Sequence, residues 1–123
     1  MAKDLAVESP PANVYESNGQ ITVAIPMPGA HHDTIELTID GRTLTVQAEA
    51  RYAQAQQHYH RHEWSVGTSR RALELPKPVQ AGGAKAMLRY GILTVSLPIG
   101  DKESTTRTRI PVAEPPTHQS QSE

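Results

Sequence analysis

Apolar and polar residues alternate along most of the chain between residues 13 and 98, which is the period of a β-strand with one buried face. A helical period is nearly absent. The alternating apolar positions fall into short segments: Ile21, Val23 and Ile25; Ile35, Leu37 and Ile39; Leu44 and Val46; Leu73 and Leu75; Ala86 and Leu88; Leu93, Val95 and Leu97. The pattern predicts an all-β domain.

Glycine and proline separate these segments at positions typical of turns. Asn18-Gly19 and Asp40-Gly41 lie between apolar runs, where such pairs favour the positive φ angles of tight hairpins. Pro26 to Gly29 ends a strand, because proline has no backbone N–H to donate to a sheet. Many short strands with this punctuation predict an immunoglobulin-like antiparallel β-sandwich.

The two ends of the chain differ from this pattern. Residues 1–12 and 100–123 are polar or proline-rich, so we expect a flexible N-terminal arm, a domain over 13–99 and a flexible C-terminal extension. The extension contains one apolar island, Ile110-Pro111-Val112. Inside the domain, residues 49–62 have no apolar stripe and are expected to form a long excursion with a short strand.

The composition narrows the choice of partners. Lysine plus arginine total 12 and aspartate plus glutamate 13, scattered along the chain, so a nucleic-acid partner is not expected. No apolar run approaches the length of a membrane span, and cysteine is absent, so we expect a soluble cytoplasmic protein without membrane contact. Apolar residues make up 37% of the chain, a modest content that self-association would supplement.

Several motifs follow one another in a fixed order. They are Pro28-Gly29 with Asp33-Thr34-Ile35, Tyr59-His60-Arg61-His62-Glu63 leading to Gly67, Arg71 with Leu73, Leu75 and Pro76, the hairpin containing Ala86, Gly91, Leu93, Val95 and Pro98, and finally Ile110-Pro111-Val112. Together they resemble the small heat-shock proteins of the α-crystallin family over roughly residues 13 to 112. The hairpin is the most specific part, because it needs five residue types at fixed spacings.

This resemblance implies a non-enzymatic chaperone of the stress response that needs neither ATP nor a cofactor. Such a holdase binds partially unfolded client proteins and limits their aggregation. It also implies a homodimer, with higher oligomers above it. The excursion at 49–62 corresponds to the family's dimerisation loop, and the interface residues implied are Tyr52, Tyr59, Arg61, Glu63 and Arg71.

The resemblance also implies a role for the apolar island. Ile110 and Val112 point to one side of an extended segment, and Pro111 favours that extended state. The family docks this motif into a groove of a neighbouring protomer, here formed by Leu37, Ile39 and Met87. The alternative is a tail that packs on its own domain or remains free.

Arg71 alternates with Leu73 and Leu75, so its side chain is expected on the apolar face, where an arginine needs a carboxylate partner. Glu49 and Glu63 are the candidates. The alternative is an ordinary edge arginine whose stem reaches water.

Histidines raise a competing hypothesis. His58, His60 and His62 alternate, and one face of a strand would present all three to a metal ion, although solvated histidines are the favoured interpretation, also for His31-His32-Asp33. Two other classes of function remain open. One is an adaptor domain that binds folded partners, and the other is a cupin-like metal enzyme.

Overall fold

The fold is described from a computed structural model, which places residues 7–49, 58–63, 68–102 and 106–114. These residues form ten strands and two short 3₁₀ helices, at His32–Thr34 and Ala81–Gly83. The strands are β1 (Val7–Glu8), β2 (Asn13–Ser17), β3 (Gln20–Pro26), β4 (Glu36–Asp40), β5 (Thr43–Glu49), β6 (Thr68–Glu74), β7 (Lys85–Arg89), β8 (Ile92–Pro98), β9 (Arg107–Arg109) and β10 (Val112–Ala113).

The strands build two five-stranded sheets, with the orders β1-β6-β5-β4-β9 and β10-β7-β8-β3-β2. The predicted all-β sandwich is confirmed. Within the part of the chain that is described, no helix combines the length and apolar character needed to span a membrane.

The core lies between the sheets and follows the alternation in the sequence. In β3 and β8, the two strands paired over their full length, every second residue is buried and the residues between are partly or fully exposed. The least exposed large side chains come from both sheets: Ile21, Val23, Ile25, Leu37, Ile39, Leu44, Val46, Leu93, Val95 and Leu97. Among the described residues no polar side chain belongs to the buried set.

Hairpin turns occur where the sequence predicts them. Asn18 and Gly19 both have positive φ, 53° and 76°, between β2 and β3, and Gly41 has φ 63° between β4 and β5. The turn between β7 and β8 has the same conformation, with φ 55° at Tyr90 and 76° at Gly91. Glycine and asparagine tolerate this region, whereas a bulky side chain at positive φ is strained. Tyr90 therefore holds an unfavourable backbone conformation.

Short strands lie within the two segments that were predicted as flexible arms. β1 pairs in parallel with β6, and β9 and β10 pair with β4 and β7, so residues 7–8 and 107–113 extend the sheets beyond the expected 13–99 domain. The pairs β1-β6 and β10-β7 are parallel, an exception to the antiparallel arrangement that was predicted. Residues 7–8, 107–109 and 112–113 lie along sheet edges, where they cover backbone groups that would otherwise be open.

Replacing Tyr90 with asparagine is expected to raise the free energy of unfolding by about 1 kcal/mol, because asparagine adopts positive φ more readily. Tyr90 is 87% exposed, so little packing is lost, although the contact of the Arg89 guanidinium with its ring disappears. Urea unfolding measures the change. Tyr15→Asn is the control: this exposed tyrosine lies in β2, where asparagine should destabilise. A loss of stability in Tyr90→Asn would contradict the strain argument.

Candidate functional site

The C-terminal segment, defined as residues 106–114, joins the two sheets at one edge of the sandwich. Its first half, β9, pairs antiparallel with β4, with Arg109 opposite Thr38. Its second half, β10, pairs in parallel with β7, with Val112 opposite Ala86. The segment therefore adds a strand to each sheet and crosses the gap between them.

Ile110 stands at the crossing point between β9 and β10. Its side chain is 2% exposed and belongs to the core cluster, and its backbone N–H donates to the carbonyl of Leu37 at 2.8 Å. Val112 is half-buried, whereas Pro111 and Ala113 are exposed. The apolar island is thus inserted through alternate residues. In this single chain it packs on its own domain, the alternative that the sequence left open.

Two of the three residues predicted to form the docking groove are buried, and the third is exposed. Leu37 and Ile39 are fully buried below the segment. Met87 was expected to face them, but it lies on the outer surface with 39% exposure, opposite Ala113. Strand alternation in β7 turns Ala86 and Leu88 inward instead. Ala86, which the sequence analysis assigned to the signature hairpin, is the residue opposite Val112.

An apolar groove, called here the outer groove, lies on the other side of β7 and has a volume of about 540 Å³. Met87, Pro111 and Ala113 line it together with Lys85 and Arg89. Two of these residues belong to the C-terminal segment, so the groove has its present shape only while the segment is docked.

The signature hairpin is β7 and β8 with their turn. Leu93 and Val95 are fully buried and Ala86 is 7% exposed. Gly91 provides the positive φ of the turn, and its carbonyl accepts a hydrogen bond from Met27 N–H at 2.7 Å. Pro98 ends β8, and its carbonyl accepts from Gln80 N–H at 2.8 Å. These residues fix the position of β7, the strand with which β10 of the C-terminal segment pairs.

The histidines of the 58–62 region are not arranged as the metal hypothesis required. His58, His60 and His62 are exposed and lie outside the strands. The rings of His58 and His60 are 5.5 Å apart, whereas the ring of His62 stacks on Tyr59 at 4.2 Å. Within the described ranges, the metal-ligating side chains that come together in a group of three are His31, His32 and Glu114. The sequence did not link these residues.

Comparison with known proteins places the chain in a family. The family model for the Hsp20/alpha crystallin family matches residues 13–113. The chain belongs to this family. The match ends in β10, so it includes the C-terminal segment as far as Ala113.

Named relatives carry the same family resemblance at low identity. Small heat shock protein C4 of Rickettsia felis is 25% identical over 104 residues, which cover 83% of this chain and 64% of that protein. Heat shock protein 16 of Schizosaccharomyces pombe is 25% identical over 103 residues, covering 80% of this chain and 72% of that protein. The chain thus spans less than two thirds of the Rickettsia protein.

Solved structures share the fold. The hspA protein of Xanthomonas axonopodis superposes with a TM-score of 0.69 at 23% identity, covering 80% of this chain and 99% of that chain. A small heat-shock protein of Xylella fastidiosa, described as having a distinct high order structure, gives a TM-score of 0.66 at 24% identity, covering 82% and 94%.

Most of the dimer interface expected of an Hsp20 family member lies in or beside the 49–62 excursion. Tyr52 lies outside the described residues. Tyr59, Arg61 and Glu63 are exposed, and Arg61 Nη1 lies 3.2 Å from Glu63 Oε2. The edge strand β2 is exposed along its whole length, and none of the described strands pairs with its outer side.

Arg71, the characteristic arginine of the family resemblance, lies on the inward side of β6 opposite Val46 and is half-buried. Its guanidinium donates to the carbonyl of Pro10 at 2.8 Å. The expected bond to Glu49 or Glu63 is not the one formed here. Arg71 instead holds the residues after β1 against the sheet.

Replacing Ile110 with alanine is expected to lower the free energy of unfolding by about 2 kcal/mol, because a buried aliphatic side chain leaves a cavity. Amide exchange in β9 and β10 should accelerate, since the segment depends on this side chain. Pro111→Ala is the control, because Pro111 is exposed in the same segment. Unchanged stability and unchanged exchange in Ile110→Ala would contradict the buried position of Ile110.

Replacing Arg71 with alanine is expected to cost about 1.5 kcal/mol of stability, because it removes a charged donor from a partly buried carbonyl. Exchange of the backbone amides in β1 should accelerate at the same time. Arg70→Ala is the matched control, since Arg70 is exposed on the opposite face of the strand. If both substitutions change stability and amide exchange in β1 equally, the result argues against the hydrogen bond from Arg71 to Pro10.

Proposed function

We propose that this protein is an ATP-independent holdase, which binds partially unfolded proteins under stress and limits their aggregation. The observation that carries the proposal is the docking of an extended apolar segment across both sheets through Ile110 and Val112. Main-chain pairing combined with a buried aliphatic side chain is a sequence-tolerant way of binding a peptide. Membership of the Hsp20/alpha crystallin family supports the same role.

The C-terminal segment acts, in this proposal, as an exchangeable plug. The strands β9 and β10 are three and two residues long, so few backbone bonds hold each of them. A segment docked in this way can leave its own domain and dock on a second copy, which is domain exchange. Leu37, Ile39 and Ala86 would contact it in either case, and Ile110, Pro111 and Val112 would join the protomers.

Two apolar surfaces are suited to client chains. One is the edge exposed when the C-terminal segment leaves, and the other is the outer groove with Met87. Ile92 and Tyr90 continue the exposed apolar surface beside it, at 44% and 87% exposure. An unfolding protein offers extended segments with exposed apolar side chains, and these surfaces match that chemistry.

The basic assembly in this proposal is a homodimer. The open edge of β2 is the acceptor for a strand from the partner's loop, in which Tyr52, Tyr59, Arg61 and Glu63 lie, with Arg71 nearby. Pairing would satisfy the backbone groups of an exposed edge strand. Docking of C-terminal segments between dimers would then build higher oligomers.

We further infer a cytoplasmic protein that is not an enzyme and needs no cofactor. The charge balance, 12 basic against 13 acidic residues, gives no field that would attract nucleic acid or an anionic membrane. Apolar docking requires neither a nucleotide nor a catalytic group, and the family consists of chaperones.

The test compares the full chain with a chain truncated after Gly100 and with the double variant Ile110→Ala/Val112→Ala. Solution mass is measured by light scattering, and aggregation of a heat-unfolded reporter protein is measured by turbidity without ATP. The full chain is expected to exceed a dimer and to suppress turbidity. Both altered forms are expected to be dimers, because they lack the two apolar side chains that dock.

Arg107→Ala keeps those two side chains and is the control, because Arg107 is exposed in β9 and does not line the outer groove. Its mass and activity are expected to be close to those of the unaltered chain. Absence of turbidity suppression by the full chain at any ratio would reject the holdase proposal in favour of an adaptor that binds folded partners. If the full and truncated chains are both monomers, the loop-mediated dimer is rejected.

A further inference from the structure

A cluster of imidazole and carboxylate groups lies where the loop after β3 meets the end of the C-terminal segment. This loop-tail cluster consists of His31, His32 and Glu114. His32 Nε2 lies 3.2 Å from a carboxylate oxygen of Glu114, and the rings of His31 and His32 are 4.8 Å apart. One ligand atom from each of the three residues lies within 4.8 Å of the others. Residues distant in sequence thus meet at one point.

The donor set matches a borderline transition metal. Two imidazoles and one carboxylate favour Zn²⁺ over Ca²⁺ or Mg²⁺, which prefer oxygen ligands. Ligand atoms bonded to tetrahedral zinc at about 2.0–2.1 Å stand about 3.3–3.5 Å apart. The His32–Glu114 pair, at 3.2 Å, is already close to this spacing. The three ligand atoms lie within 4.8 Å of one another, so the widest of their separations has to shorten when zinc binds. Partly exposed side chains achieve this by small rotations.

Asp33 orients one of the ligands. His31 Nδ1 lies 2.7 Å from Asp33 Oδ1, a contact in which the imidazole N–H donates to the carboxylate. A neutral imidazole that donates from Nδ1 keeps a lone pair on Nε2. Carboxylates that hold a histidine in this way are a regular feature of zinc sites, where they fix the tautomer and the ring orientation.

We propose that His31, His32 and Glu114 bind a Zn²⁺ ion, with water completing the coordination. The ion would lie between His32 Nε2 and the carboxylate oxygen of Glu114, which are 3.2 Å apart. Access is open, because the side chains of His31, His32 and Glu114 are 43%, 31% and 52% exposed. This site is separate from the histidines at 58–62.

Zinc at this position fixes the C-terminal segment to the domain. Glu114 directly follows β10, whereas His31 and His32 belong to the loop between β3 and β4. An ion that needs ligands from both binds only the docked arrangement, and it therefore stabilises that arrangement in proportion to its occupancy. Zinc would oppose the release of Ile110, whichever chain supplies the segment.

Isothermal titration of zinc chloride into the full chain tests the site. One equivalent is expected to bind, and Glu114→Gln and His32→Ala should each weaken the affinity about tenfold or more. His60→Ala and Glu16→Gln are matched controls: one is a histidine of the 58–62 region, and the other replaces an exposed ion-paired glutamate. Both controls should bind like the unaltered chain. Circular dichroism verifies that every variant is folded.

Amide exchange at Ile110 provides the second measurement. Zinc should slow exchange of this amide, which donates to Leu37, in the unaltered chain but not in Glu114→Gln. Absence of zinc binding overturns the proposal, as does binding that is lost in His60→Ala and retained in His32→Ala. Binding that survives Glu114→Gln, with exchange at Ile110 unaffected by zinc, overturns the link to the C-terminal segment. The chaperone proposal stands apart from these outcomes, since it does not use the ion.

Discussion

Burial of Ile110 between the two sheets is the interaction on which the functional edge depends. Apart from this residue, the C-terminal segment holds the edge with two very short strands and a half-buried valine. Burying one isoleucine side chain is worth about 2–3 kcal/mol, enough to favour the docked state without making it permanent. The wall of the outer groove and the approach of Glu114 to His32 both follow from that position. A single apolar contact thus determines several features of the surface.

The framework of the sandwich could be predicted because its information is local. Alternation identified the buried faces of β3, β4, β5 and β8, and the Asn18-Gly19 and Asp40-Gly41 pairs marked their hairpins. The conformation of Tyr90 gave no such signal, since tyrosine is not a residue that normally occupies positive φ. There the neighbouring strands and Gly91 impose the turn, and tertiary structure overrides local preference.

The features that were missed all depend on contacts distant in sequence. β1, β9 and β10 are too short to show a period, so their segments looked like flexible arms. Arg71 donates to a backbone carbonyl, that of Pro10, and residue types in the sequence do not indicate a backbone acceptor. The approach of His32 to Glu114 becomes visible only once the segment has crossed the core.

The position of β1, β9 and β10 along the sheet edges has a kinetic consequence. β9 and β10 each pair with a strand of a local hairpin, and β1 pairs with β6, which is distant from it in sequence. The long loop closures that bring these three strands into place therefore contribute last to the folded state. By the same logic these elements open first, at a free energy below that of global unfolding. Exchange of these edge strands is therefore governed by how long the edge stays locally open. The hairpins remain folded during that time.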